Sequence, residues 1–191
     1  KIFLKKDIID KEISFEALKH SIINDFEKVH QNFDCILGRK FSVQNFKLSK
    51  IIKHHLIHFL LNPKLFFKKS ERNLKFHFDL FHGKGNLDLA INCLDENNKN
   101  KFTYHMNTET SFNPHNMFIC KTEILKKYYD VVFPWLEKCE NLFGFNHLDT
   151  YGLKRIYGFL AERFLSYWFT KNYKTMELPI IGKDLSDYKD L

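Results

Sequence analysis

Residues that bend or break a backbone are scarce in this chain, with 7 glycines and 4 prolines among 191 residues. Low-complexity sequence and long structureless linkers are therefore not expected. Cysteine is as sparse. Cys35, Cys93, Cys120 and Cys139 stand far apart and form no CxxC pair, so no dithiol motif is present. Cys35, Cys93 and Cys120 have apolar neighbours, as buried free thiols do, and a reducing, cytosolic compartment is expected. No apolar run reaches the roughly 18 residues of a membrane-spanning helix. No signal peptide is visible, and the chain starts at Lys1 rather than Met. Nucleotide-binding loops are also missing. His82-Gly83-Lys84-Gly85 lacks the length and the Ser/Thr of a P-loop, and there is no GxGxxG, no GxSxG and no convincing Cys/His pair. His54 and His58 share a helical spacing, but His55 stands where a zincin has Glu, so no metal site is expected.

Aromatic residues are abundant. Phe alone occurs 21 times, and 44% of the chain is apolar, which argues for a folded core and against disorder. The net charge is +7 and is unevenly spread. Between Lys47 and Arg72 there are seven Lys/Arg and one acid, a local +6. Such a patch suits phosphate or an anionic surface, and it equally suits a solvated basic face. Its first half, Leu48–Leu61, is an amphipathic helix candidate stopped by Asn62-Pro63, and Phe66-Phe67 then sits beside Lys68-Lys69. A basic amphipathic stretch with aromatics can lie on an anionic membrane.

Helical spacing with an N-cap at Ser14 predicts a helix to about His30. Phe33–Leu37 reads as a buried strand closed by Gly38. Leu74–Phe81 reads as a helix, and Asn86 caps another to about Leu94. Asp95–Asn100 is expected to be a loop and Phe102–Met106 a short helix. The polar segment Thr108–Pro114 leads into a strand, Asn116–Cys120. Glu123–Leu142 is a helix that Pro134 kinks or divides. Thr150–Tyr173 is expected as one long helix, and Met176–Ile181 as a strand with Pro179 at its edge. Helices interleaved with short buried strands give an α/β class and a single domain.

The long helix carries the unusual chemistry. Leu153, Tyr157, Leu160, Phe164 and Trp168 form its core face, while Arg155, Gly158, Glu162 and Ser166 line the opposite side. A mid-helix glycine costs about 1 kcal/mol against alanine, which suggests a packing or functional reason for Gly158. Glu162 is a candidate general base, with Arg155 or Arg163 as an anion clamp. The same charges fit a structural salt-bridge network on a half-buried helix. Asn113, His115 and Asn116 enter a strand together, a pattern that lines ligand crevices or satisfies a turn. His82, beside two glycines, is a candidate phosphate contact or an ordinary turn histidine.

FNPHNMFICKTEI from Phe112, YGLKRIYGFLAERFLSYW from Tyr151 and MELPII from Met176 resemble a bacterial glycosyltransferase domain of unknown function, found in capsular and lipopolysaccharide biosynthesis loci. The NMFI strand matches at Asn116–Ile119, the R…GF…ER helix at Arg155–Arg163, and the short strand at Glu177–Pro179. Phe33–Leu37 is similar to the family's YDIIL strand. The match is strong over the last third and weak between Phe41 and Lys101, where residues 47–72 read as a basic amphipathic insertion. The resemblance implies a helix-rich GT-A-like fold, a nucleotide-sugar donor and a glycan or lipid-linked glycan acceptor. It also implies that this chain is the C-terminal part of a longer enzyme, inactive alone, acting in the cytoplasm or at the inner membrane face. Glu162 then takes the acceptor proton, with Arg155 and Arg163 near the leaving nucleoside diphosphate and Asn113, His115, Asn116, His82 and Gly158 binding substrate. This chain has no Asp-x-Asp motif, so Mg or Mn would be held outside it or replaced by basic groups. A basic nucleic-acid-binding module and a non-catalytic structural domain are the alternatives.

Overall fold

The computed structural model describes residues 2–3, 20, 32–45, 68, 72–144 and 150–181. The helix expected over 14–30 lies outside these residues apart from His20, and the basic stretch 47–72 lies outside them apart from Lys68 and Arg72. Among the described residues no helix is long and apolar enough to cross a membrane.

The elements in chain order are β1 (Ile2–Phe3), β2 (Cys35–Gly38), β3 (Phe41–Ser42), α1 (Leu74–His82), α2 (Asn86–Asn92), α3 (Glu96–Thr108), β4 (Ser111–Phe112), β5 (Phe118–Cys120), α4 (Thr122–Phe143), α5 (Tyr151–Lys154), α6 (Ile156–Asn172), β6 (Thr175–Leu178) and β7 (Ile180–Ile181). The class is α/β and helix-rich, as expected. The central strand is β2. It runs parallel to β6, with Cys35 opposite Thr175 and Gly38 opposite Leu178. On its other side it runs antiparallel to β5, with Cys35 opposite Cys120. Two-stranded antiparallel ribbons join β3 to β4 and β1 to β7.

All four β2 residues are buried, which a continuous apolar run permits and an alternating one does not. Side chains alternate across a strand. Cys35 and Leu37 accordingly join the main core, and Ile36 joins Leu178 in a small cluster on the other face. The main core is largely aromatic. Phe164 lies edge-on to Phe102 at 5.4 Å and beside Trp135 at 5.0 Å, and the Trp135 indole N–H donates to the Ala90 carbonyl at 2.7 Å. That geometry buries large apolar area while satisfying the one polar atom of the indole.

Several boundaries differ from the sequence reading for local reasons. The stretch expected as a loop, Asp95–Asn100, begins α3, because the Asp95 carboxylate caps the helix by accepting the Asn98 N–H at 3.0 Å. The expected strand Met176–Ile181 is two strands interrupted at Pro179, which has no N–H for a ladder. Pro134 lies inside α4, which runs unbroken from Thr122 to Phe143. The single helix expected over Thr150–Tyr173 is divided at Arg155, whose φ of −113° and ψ of 17° leave the helical region. Its core face is also broader than expected. Leu160, Phe164 and Trp168 are buried, Leu153 and Tyr157 only half-buried, and every residue from Arg163 to Phe169 is enclosed. Arg72, counted in the basic patch, is buried and donates to the Gln44 carbonyl at 2.9 Å. Cys35 and Cys139 are buried, Cys93 and Cys120 half-buried, and all four thiols are free.

Candidate functional site

The parallel pair β2–β6 ends at Gly38 and Leu178, and the chain leaves through Arg39-Lys40 and Pro179. Ligand crevices in α/β folds form at the carboxyl ends of such strands. Here a cleft of about 250 Å³ opens between Arg39, Lys40, Phe41, Pro114, His115 and Ile180.

Its far wall is the link from β4 to β5, held by a buried clip. The Asn113 side-chain amide donates to the Gly38 carbonyl at 2.6 Å, and its carbonyl accepts from the Ser166 hydroxyl at 2.5 Å. The Asn113 backbone N–H donates to the same hydroxyl at 2.7 Å. One side chain thus ties the end of β2 to α6. Asn113 was expected to face a ligand, and Ser166 to line a polar strip. Both are buried, and their polar groups are spent on each other and on Gly38.

Beyond Asn113 the chain turns through two residues of positive φ, His115 at 81° and Asn116 at 51°. Non-glycine residues avoid this region, and such backbones persist where neighbours hold them. Glu162 is one such neighbour, its Oε1 accepting the His115 N–H at 2.8 Å. Asn116 supplies the second contact, donating from Nδ2 to the Gly158 carbonyl at 2.9 Å. His115, Asn116, Gly158 and Glu162, proposed from sequence as site residues, are therefore brought together. Gly158 is not needed for space, since a Cβ there would meet nothing within 4 Å.

The two arginines part company. Arg163 is fully enclosed, with its guanidinium carbon 3.4 Å from the centroid of the Phe112 ring. It pairs with Glu162 Oε2 at 3.4 Å and donates to His77 Nδ1 at 3.2 Å. Accepting that bond makes His77 neutral with its proton on Nε2, and burial followed by the Arg163 charge pulls its pKa well below normal. Burial also brings Arg163 down to about 10, so it remains charged at neutral pH. Arg155 was expected on the same side of one continuous helix as Glu162. The break at Arg155 removes that alignment, and the guanidinium instead meets the Tyr151 hydroxyl and the faces of Tyr151 and Phe159. The salt bridge present is Arg163–Glu162, and the Glu162 side chain keeps 14% exposure.

His82 is not in a turn but ends α1, buried and stacked on Phe159 at 4.1 Å. Its Nδ1 lies 3.3 Å from the Gly152 carbonyl, which only a protonated Nδ1 can satisfy. Burial and the Arg163 charge depress its pKa to about 4. It belongs to the seam between α1 and α5, where a Cβ on Gly152 would lie 2.1 Å from the Phe81 carbonyl oxygen.

The cations facing the cleft are Arg39 and Lys40, which sequence reasoning passed over. Lys40 pairs with Glu177 at 3.4 Å, and its backbone N–H donates to the same carboxylate at 3.2 Å. The available signal was a basic pair directly after the buried strand and Gly38. No three His, Cys, Asp or Glu side chains converge for a metal among the described residues. Glu162 and Glu177 are each engaged by a cation, so the donor set here does not fit a metal ion. The arrangement offers a partly exposed carboxylate beside a strained turn, with positive charge at the strand ends.

The molecule is thus an α/β domain with a cleft at the ends of a parallel strand pair, walled by a broken helix. A family model described as a domain of unknown function (DUF4422) matches residues 10–173, and the chain belongs to that family. Among solved structures, the apo structure of the WbbM bifunctional glycosyltransferase is similar, with a TM-score of 0.58 at 19% identity. The likeness covers 94% of this chain and 30% of that one, and at this identity it speaks for the fold. No curated protein matches.

Proposed function

We propose that this domain transfers a sugar from a nucleotide-sugar donor to a hydroxyl of a surface polysaccharide, capsular or lipopolysaccharide, or of its lipid-linked precursor. The observation that carries this reading is the Glu162 carboxylate, hydrogen-bonded to the left-handed turn at His115, a residue that lines one cleft together with Arg39 and Lys40. The fold shared with part of a bifunctional glycosyltransferase supports it, as does membership of the DUF4422 family. In the proposed step Glu162 takes the acceptor O–H proton as the oxygen bonds to the anomeric carbon. The anomeric C–O bond to the diphosphate breaks, and its electron pair leaves on the phosphate oxygen. Arg39 and Lys40 meet that charge, a role first assigned to Arg155 and Arg163. Arg163 positions Glu162, and His115 and Asn116 contact substrate. We assign the domain to a GT-A-like arrangement, with the rest of the nucleotide site supplied from outside this chain.

The basic stretch 47–72 is proposed as an insertion that holds the domain against an anionic membrane face, near a lipid-linked acceptor. Buried Arg72 takes no part in that contact. Nothing among the described residues favours nucleic acid.

The test is a panel of nucleotide sugars offered to the full-length protein with oligosaccharide acceptors, reading nucleoside diphosphate release. Arg39→Ala and Lys40→Ala should each raise the donor KM about tenfold, as loss of a charge-assisted contact does. Acceptor-dependent release with an unchanged donor KM in both variants would remove the leaving-group role. No release from any donor would remove the transferase reading.

A further inference from the structure

The four free thiols, far apart in sequence, meet as two pairs in the fold. Cys35 on β2 stands opposite Cys120 on β5, and Cys93 at the end of α2 meets Cys139 of α4. The first pair sits in a regular ladder, which fixes its geometry. Arg39 donates its N–H to the Leu178 carbonyl at 2.9 Å and Cys35 its own to the Lys174 carbonyl at 3.4 Å, so the odd-numbered residues of β2 turn their backbone groups toward β6. Between β2 and β5, Cys35 and Cys120 are therefore a pair that exchanges no backbone bonds. Such pairs have Cα atoms about 4.5 Å apart and side chains close together, at the short end of the roughly 4.4–6.8 Å that a disulfide spans. Both side chains pack on the main-core face of the sheet.

The two sulfurs are not equivalent. Cys35 is fully enclosed, while Cys120 is half-buried and lines an open groove of about 500 Å³ with Asn116, Phe118, Leu125 and Tyr129. The Cys35 S–H donates to the Cys120 sulfur, and that bond draws the Cys120 thiol below its usual range. The same bond, followed by burial, pushes Cys35 up. A half-buried sulfur that favours the thiolate, beside an enclosed one that keeps its proton, is the arrangement of an attacking and a resolving cysteine. Cys93 and Cys139 lack it. Their thiols turn to the carbonyls of Leu89 and Ala90 at 3.6 and 4.0 Å, and burial, followed by the neighbouring Cys93, pushes Cys139 up to about 12.

We propose that Cys35 and Cys120 are a reversible redox site, oxidised to a cross-strand disulfide by a low-molecular-weight disulfide. The Cys120 thiolate attacks one sulfur of the oxidant and expels the other half, leaving a mixed disulfide on Cys120. The Cys35 sulfur then attacks the Cys120 sulfur, and the second half leaves. The two protein thiols give up two electrons, and their two protons pass to the two thiolates released. The new bond fastens β2 to the strand that follows the His115–Asn116 turn. The reduced pair, as it stands in this structure, is the form that a reducing compartment maintains. None of the residues given roles in sugar transfer takes part.

The experiment exposes the folded full-length protein to oxidised glutathione, quenches with acid, alkylates the remaining thiols under denaturing conditions and maps the four cysteines by peptide mass spectrometry. The Cys35 and Cys120 thiols should be lost in equal amounts as one cross-linked peptide pair, with Cys93 and Cys139 recovered free. Dithiothreitol should restore both thiols, and the same treatment in urea should lose the selectivity. Cys35→Ala should stop at a stable mixed disulfide between Cys120 and glutathione, whereas Cys120→Ser should leave Cys35 unmodified. Circular dichroism checks that each variant is folded, and the map of the native protein decides even where a variant is not. Free Cys35 and Cys120 after exposure of the native protein would overturn the proposal. So would a Cys93–Cys139 bond formed in their place, a glutathione adduct that persists on Cys120 in the native protein, or an adduct on Cys35 in folded Cys120→Ser.

Discussion

The two halves of α6 do opposite things with polar residues. From Arg163 to Phe169 every side chain is enclosed, and the two polar members, Arg163 and Ser166, face partners brought from other elements. From Ile156 to Glu162 the helix carries an exposed Gly158 and a partly exposed Glu162, whose contacts run to a surface turn. A polar group in the first setting holds the fold together. In the second it is available to a solute. Polarity on a helix therefore says little until the other half of each hydrogen bond is known.

That contrast sharpens into substitutions. Arg163→Ala should have the largest effect on stability, about 3–5 kcal/mol, because it leaves Glu162 and His77 without their shared cation in a closed site. Urea unfolding measures it, and a loss below 1 kcal/mol would contradict the enclosed pairing.

Acid should come next. His82 has a folded pKa near 4, below its ordinary 6.5. Between those values the unfolded chain binds more protons, so folding stability is complete above about pH 6.5 and falls as pH drops toward 4. The size is up to about 3 kcal/mol for this one histidine. Unfolding midpoints for His82→Phe should show a shallower decline over that window than the native protein. An identical slope would mean that His82 is not held neutral.

Asn113→Ala should cost about 2 kcal/mol, since the Gly38 carbonyl and the Ser166 hydroxyl lose a buried partner. Ser166→Ala alone should cost less, because the amide bond to Gly38 survives. Equal losses would place the value of the clip in Ser166 instead. The smallest effect belongs to the exposed half. Gly158→Ala should raise stability by about 0.5 kcal/mol, as the added methyl meets open space in a helix. A loss there would mean that the space is occupied by something other than the described residues.

Much of the architecture was legible where one local signal decided it. Cys35–Gly38 is apolar without alternation and became the central buried strand. Caps were less legible: Asn73 and Thr150 cap their helices without having been read as caps, while Asn86, read as a cap, is the first residue of α2, preceded by Gly85, and its amide donates to the His82 carbonyl. The site was half legible. Glu162, Gly158, His115 and Asn116 do meet, but through the turn and not along a continuous helix. The break at Arg155 left no mark in the sequence, which has no proline there. The tight seating of Gly152 under the Phe81 carbonyl, a tertiary contact, accompanies it. Ser166 read as surface because its partner Asn113 is 53 residues away in sequence. Arg163 read as a ligand clamp because nothing local showed that Phe112 and His77 would cover it. Arg39 and Lys40 drew no notice because their value depends on where β6 and Pro114 end up.

The most direct test of the account is Glu162→Gln in the full-length protein, with sugar transfer and donor binding measured side by side. The amide keeps an oxygen to accept the His115 N–H but takes the carboxylate from buried Arg163, so unfolding is measured alongside and activity is read under conditions where the variant is folded. The account predicts a fall in turnover of at least about a hundredfold, as loss of a general base gives, with donor affinity nearly unchanged. Native turnover in this variant would contradict the assignment of Glu162 as the base and reduce its carboxylate to a fastener of the His115 turn.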